Sequence, residues 1–287
     1  MPRRPPALAP ASSLATAGAF QAVETSPMGS EPTPEGIHIR GLSHEYVRGD
    51  ESVEALRDVA LEIPAGQFVS LVGASGCGKT TLLDILSGLL DVQTGAVRLA
   101  GRPPRAGRRD TARMFARDAL LPWKSAFANV DFALATRIGD AAERASQVER
   151  LLESVGLGEF KQALPSELSQ GMRQRVALAR TFSLRSRFIM LDEPFGALDA
   201  LTKINLQDRL VELWEQVSAS TVVLVTHDLA EAAALSDRVI VMSPRPGRIV
   251  ADVAIGLPRP RNVRALHATD GFQKLVAGLW ETLDSAS

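Results

Sequence analysis

Apolar and polar positions change period several times along the chain, and each change marks an expected element. Residues 37–69 alternate around Gly41, Gly49, Pro64 and Gly66, a pattern of short strands joined by turns. Residues 68–72 form an apolar strand that runs into a glycine-rich loop. Apolar positions 82, 83, 85, 86, 89 and 90 predict a buried helix over 81–90, with Gly88 near its end. The stretch 110–168 reads as mainly helical, with helical spacing over 141–155 closed by Gly156. An apolar strand over 188–191 and an amphipathic helix over 201–214 follow. Two more apolar strands, 221–226 and 238–242, flank a helix over 228–235. Beyond Pro258 the pattern weakens, although 272–283 fits a terminal helix. Strands alternating with helices predict an α/β fold whose mostly parallel sheet is covered on both faces. No internal repeat is present.

The first 36 residues depart from this order. They hold seven of the 17 prolines among Ala, Ser and Thr, a composition that cannot bury a core and predicts a disordered tail over 1–36. Arg3 and Arg4 resemble the start of a signal peptide, but Pro5, Pro6, Pro10, Ser12 and Ser13 interrupt any apolar stretch behind them, so secretion is not expected. Net charge is −1, which gives no whole-chain basic field for nucleic acid. The single cysteine, Cys77, excludes an internal disulfide framework. No apolar run approaches the ~18 residues that cross a bilayer, so any membrane role is expected to go through a partner.

Gly73-Ala74-Ser75-Gly76-Cys77-Gly78-Lys79-Thr80 fits G-x-x-x-x-G-K-[ST], with a strand before it and a helix after it. Glycines let the backbone curl so that its N–H groups face phosphates, and the following helix adds its N-terminal dipole. Lys79 is expected on the β- and γ-phosphates of ATP, Thr80 on Mg²⁺, and Thr81 completes the phosphate-binding run. Such a match arises by chance on the order of 1% of the time in a chain of this length. Cys77 inside the loop is either a tolerated small residue or a thiol made oxidisable by nearby positive charge.

Residues 188–191 lead into Asp192-Glu193. Strand alternation aims the two carboxylates in different directions. One can hold Mg²⁺ (Asp192) while the other polarises the attacking water (Glu193). A solvated strand end is the plain alternative, which the phosphate loop upstream outweighs.

Leu168-Ser169-Gln170-Gly171-Met172-Arg173-Gln174-Arg175, just ahead of the acidic strand, resembles the signature of the ABC-transporter ATPases. In isolation it reads as a capped helix, with Ser169 as N-cap. Further landmarks fall in family order: Tyr46, which the resemblance places on adenine, Ala197-Leu198-Asp199, which it places against a second subunit, and Thr226-His227-Asp228, whose histidine it places on γ-phosphate. The lesser alternatives are a half-buried strand aromatic for Tyr46 and a structural role for His227. Leu120-Leu121-Pro122-Trp123, Met172 and Pro244-Arg245-Pro246-Gly247-Arg248-Ile249 look like the nitrate/sulfonate/taurine importer branch. There Leu121 to Trp123 would meet the membrane subunit; core packing is the alternative for Trp123.

The resemblance covers about 37–258 and implies a P-loop NTPase (RecA-like) core sheet flanked by helices, an N-terminal antiparallel β subdomain and a helical subdomain near 110–168. Residues 259–287 would be a C-terminal helical extension. It implies that Ser169, Gln170, Gly171 and Asp199 reach nucleotide held by Lys79 of a second copy, in a head-to-tail homodimer. Implied partners are transmembrane permease subunits and, indirectly, an extracytoplasmic solute-binding protein, with the chain peripheral on the cytoplasmic face and no nucleic acid bound. Rival functions are a non-transport ABC ATPase acting on nucleic acid or ribosome, and a regulatory cassette with weak hydrolysis. One departure stands out: Phe115-Ala116-Arg117-Asp118 places Ala116 where the family carries a glutamine. An alanine methyl can neither ligate Mg²⁺ nor hydrogen-bond the attacking water, which puts coupling in doubt more than nucleotide binding.

Overall fold

In the computed structural model residues 35–117, 119–196, 198–216 and 220–285 are described. The tail expected over 1–36 lies almost wholly outside them, as do Asp118 and Ala197. Strand β1 (Ile37–Arg48) pairs antiparallel with β2 (Glu51–Ile63). These are long strands rather than the short ones expected. Gly41 sits inside β1 at a register shift instead of ending it, and the chain reverses only at Gly49 and Asp50. Strand β3 (Phe68–Gly73) feeds helix α1 (Lys79–Leu86), after which β4 (Thr94–Leu99) pairs antiparallel with β1.

Helix α1 begins earlier and stops earlier than 81–90. Lys79 and Thr80 of the phosphate loop are already helical. Gly88 N–H donates to Ile85 O at 3.0 Å and Leu89 N–H to Asp84 O at 2.8 Å, a closure that satisfies two of the last carbonyls.

The second sheet has six strands in the order β5-β6-β7-β3-β8-β9. Its new members are β5 (Thr111–Met114), β6 (Phe188–Asp192), β7 (Thr221–Val225), β8 (Arg238–Met242) and β9 (Ile249–Ala254). All neighbours are parallel except β9, which closes the edge antiparallel to β8. β5 falls in the stretch read as mainly helical, and four residues are too few to show a period in sequence.

Period-two alternation in this sheet builds two cores. Phe68, Val72, Ile189, Leu191, Val222, Leu224, Val239 and Val241 face one side. Val69, Leu71, Phe188, Met190, Val223, Val225, Ile240 and Met242 face the other. The second core is closed by α1 and the three-stranded sheet. The first is closed by α2 (Ala126–Leu134), α3 (Ala141–Ser154), α4 (Gln170–Ser183), α5 (Ala200–Gln216) and α6 (Leu229–Leu235). Short α7 (Val263–His267) and α8 (Asp270–Ser285) join that core through Val263, Phe272 and Leu279. Each such buried side chain contributes about 1.5–3 kcal/mol over exposure, so both faces of the sheet are anchored and the loops at its strand ends are held in place.

Candidate nucleotide site

The carboxyl ends of β3, β6 and β7 converge, as sites in open α/β sheets do. They open into a cavity of about 350 Å³ lined by Gly73, Ser75, Gly76, Gly78, Lys79, Thr80, Thr81, Glu193, His227, Tyr46 and Arg245, among others. Lys79 Nζ donates to Gly73 O and Ala74 O, both at 2.8 Å, so the loop's own carbonyls hold the ammonium under the loop. Gly78 adopts φ 103°, and a Cβ there would lie 2.7 Å from Ala55 O, so the turn into α1 admits no larger residue. Gly247 is tighter still: a Cβ would come within 2.0 Å of Cys77 O. The 243–248 loop therefore clasps the back of the phosphate loop, and Arg245 donates to Gly76 O at 3.1 Å.

That clasp settles one alternative. The Cys77 side chain is 1% exposed, in the core that contains Met242, with Lys79 Nζ 3.6 Å from its sulfur. An oxidisable thiol needs access, and burial denies it; Cys77 is a small core residue.

Asp192 and Glu193 do diverge, but not through strand pleating. β6 ends at Asp192, and Glu193 has φ 45°, a left-handed turn that points its carboxylate into the cavity. Glu193 Oε1 lies 3.6 Å from His227 Nδ1, and His227 follows the end of β7. Asp192 stays buried, with Oδ1 accepting from Thr80 Oγ1 at 3.4 Å. Burial pushes its carboxyl above the ordinary aspartate range, and the Arg113 guanidinium opposes that shift. Thr80 and Asp192 together offer adjacent hydroxyl and carboxylate oxygens, a donor set that fits Mg²⁺ completed by phosphate and water.

Tyr46 is 45% exposed at the cavity edge, with its hydroxyl 3.2 Å from Thr81 Oγ1 and its ring edge-on to His44 at 4.9 Å. A ring held this way can stack on a planar base.

The remaining expected residues lie elsewhere. Ser169 caps α4 by accepting from Met172 N–H at 3.2 Å, and Ser169 and Gln170 are exposed. Asp199 accepts from Thr202 N–H at 3.0 Å at the start of α5, which holds its carboxyl below the usual range. Neither these three nor Gly171 lines the cavity. Ala116 is exposed just after β5. Trp123 is 71% exposed, which overturns core packing for it.

Sequence reasoning missed two cations at the site. Arg245 was noticed only as part of a run of branch-specific residues. Arg113 on β5 is buried and bridges Asp192 at 3.0 Å and Asp84 at 2.8 Å; in a four-residue strand nothing in the periodicity marks a buried charge.

A strand-to-helix phosphate loop with an acidic strand two places along the same parallel sheet defines a nucleotide-binding cassette. The ABC transporter family profile matches residues 56–196. The chain is 46% identical, over 85% of its length and 79% of the relative's, to an aliphatic sulfonates import ATP-binding protein of Xanthomonas axonopodis pv. citri. It is 41% identical, over 79% of its length and 88% of the relative's, to a taurine import ATP-binding protein of Rhizobium johnstonii. Among solved structures it is similar to the ATP-binding cassette MJ0796, seen as a dimer in a post-hydrolysis state bound to ADP and Pi: TM-score 0.71, 29% identity, 77% of this chain and 100% of that one. The chain belongs to the ABC-transporter ATPases, in the branch of the sulfonate and taurine import ATP-binding proteins.

Proposed function

We propose that this ATPase subunit closes as a head-to-tail homodimer over two Mg-ATP molecules and thereby drives import of a small anion, of the sulfonate or taurine type, through separate membrane subunits. The observation that carries this is the separation of the two halves of the site. Lys79, Thr80, Glu193 and His227 meet in one cavity, while Ser169 and Gln170 stand exposed and Gly171 half-buried at the start of α4, outside that cavity. A second copy, turned by a two-fold axis, supplies the missing half.

In each site Lys79 neutralises the β- and γ-phosphates, and Tyr46 stacks on the base. Thr80 and Asp192 hold magnesium, which when bound offsets phosphate charge. Glu193 takes the proton of the attacking water and His227 contacts the γ-phosphate, both from the position where their side chains already approach each other. The Ser169 hydroxyl and the free N–H groups of α4 from the opposing copy face that same phosphate, where a helix N-terminus favours negative charge. Hydrolysis removes the group that both copies grip, so the dimer loosens.

Trp123, with Phe132 and Leu164, leaves large apolar surface outside. This supports docking of the membrane subunits there, with the chain peripheral on the cytoplasmic side. No helix among the described residues is long and apolar enough to cross a membrane. The relatives' names support the class of solute, which a binding protein and the membrane subunits would select.

The test is Glu193→Gln. A positioned base contributes about 10²–10⁴-fold, so turnover should fall by that factor while Mg-ATP now traps a stable dimer in size-exclusion chromatography. A variant that stays monomeric with millimolar Mg-ATP would sink the head-to-tail scheme.

A further inference from the structure

Four groups, joined to the cavity through its lining residue Thr80, close a ring. Thr80 and Asp84 lie one turn apart on the same face of α1. Thr80 Oγ1 reaches Asp192 Oδ1, Asp192 Oδ2 accepts from Arg113 at 3.0 Å, and the same Arg113 nitrogen donates to Asp84 Oδ1 at 2.8 Å. The two oxygens of Asp192 are thus divided, one toward Thr80 and one toward Arg113.

Stability alone does not account for Arg113. Its side chain is 6% exposed, that of Asp192 4%. Its Nε and Nη1 are buried with no acceptor among the described residues. Buried ion pairs are often no better than apolar residues of equal volume, and unpaired buried donors make matters worse. A methionine would fill the space at β5 without this penalty.

We propose that Arg113 is a positioning residue for the magnesium site: by tying Asp192 Oδ2 to Asp84, it keeps Asp192 Oδ1 turned toward Thr80. This rests on reading Thr80 and Asp192 as the magnesium holders. It also gives β5 a direct connection to that site through Arg113, just upstream of Ala116, where the family's glutamine is missing.

The test measures ADP affinity of the full chain by calorimetry, with magnesium and with a chelator, so that hydrolysis does not intrude. The ratio of the two dissociation constants reports how strongly metal and nucleotide support each other. The wild-type chain should bind ADP more tightly with magnesium. Arg113→Met should reduce that ratio at least about tenfold while leaving metal-free ADP affinity within about twofold, and Arg113→Lys should restore part of it. Asp84→Asn, which keeps the side-chain size, should move the ratio the same way by less and serves if Arg113→Met does not fold. An unchanged ratio in Arg113→Met with a lower melting temperature means Arg113 is structural only, and an increased ratio means it competes with magnesium; either overturns the proposal. No magnesium effect in the wild-type chain overturns the reading of Thr80 and Asp192, and the proposal with it.

Discussion

The cavity at the ends of β3, β6 and β7 and the exposed start of α4 treat charge in opposite ways. In the cavity every major charge is already held by the protein: Lys79 by two carbonyls, Asp192 by Thr80 and Arg113, Glu193 near His227. At the α4 end Ser169 Oγ accepts from Met172 N–H and Ser169 O from Arg173 N–H, at the start of a helix where Ser169 and Gln170 are exposed. One region is preorganised by its own chain, and on the proposed head-to-tail scheme the other is half a binding surface. The difference teaches that, on that scheme, gripping nucleotide and hydrolysing it would be separable, because the first would need one copy and the second two.

Lys79→Ala should give the largest effect on the cavity side. A charge-assisted contact to phosphate is worth about 1.5–3 kcal/mol, so ATP affinity should weaken roughly 10- to 100-fold in equilibrium binding. Near-normal binding would show that the loop backbone alone holds the phosphates. Gly171→Asp attacks the other region by placing a carboxylate at the α4 end, which the proposed dimer sets opposite the γ-phosphate. Turnover should drop about tenfold or more through like-charge repulsion, with ATP affinity of the separate chain within about twofold. If affinity fell in parallel with turnover, the two regions would not be independent.

Tyr46→Ala probes the cavity rim. Loss of stacking worth about 0.5–1.5 kcal/mol should raise the dissociation constant for ATP by about two- to tenfold, whereas Tyr46→Phe should bind nearly as the parent does. Ala116→Gln tests the boundary between the regions and should have the smallest effect. We expect a rise of about twofold in ATP turnover of the complex assembled with its membrane subunits, from a new side-chain amide able to reach water or metal. Equal or lower turnover would leave Arg113 as the better candidate for that link.

Much of this arrangement was legible in the residues. The phosphate loop, the apolar strands at 188–191, 221–226 and 238–242, and the helix over 228–235 declare themselves through strong local patterns. The long β1–β2 hairpin was misread because Gly41 looks like a turn in sequence and acts as a bulge in the sheet. β5 and β9 were missed because short edge strands carry little alternation, and Arg113 was missed because burial of a charge depends on partners 29 and 79 residues away in sequence.

Sequence by itself determined which groups exist and which lie next to one another along the chain: a loop that must curl around phosphate, two successive acids, a capped helix with an open N-terminus. Tertiary structure alone decided who meets whom. It buried Cys77 beneath Gly247, turned Glu193 out of line with Asp192 through a left-handed backbone, and enclosed Arg113 between two carboxylates while leaving Ser169 in the open. The reason is physical: periodicity reports the local environment that a backbone repeats, whereas contacts between distant strands and helices are set by how their apolar faces pack.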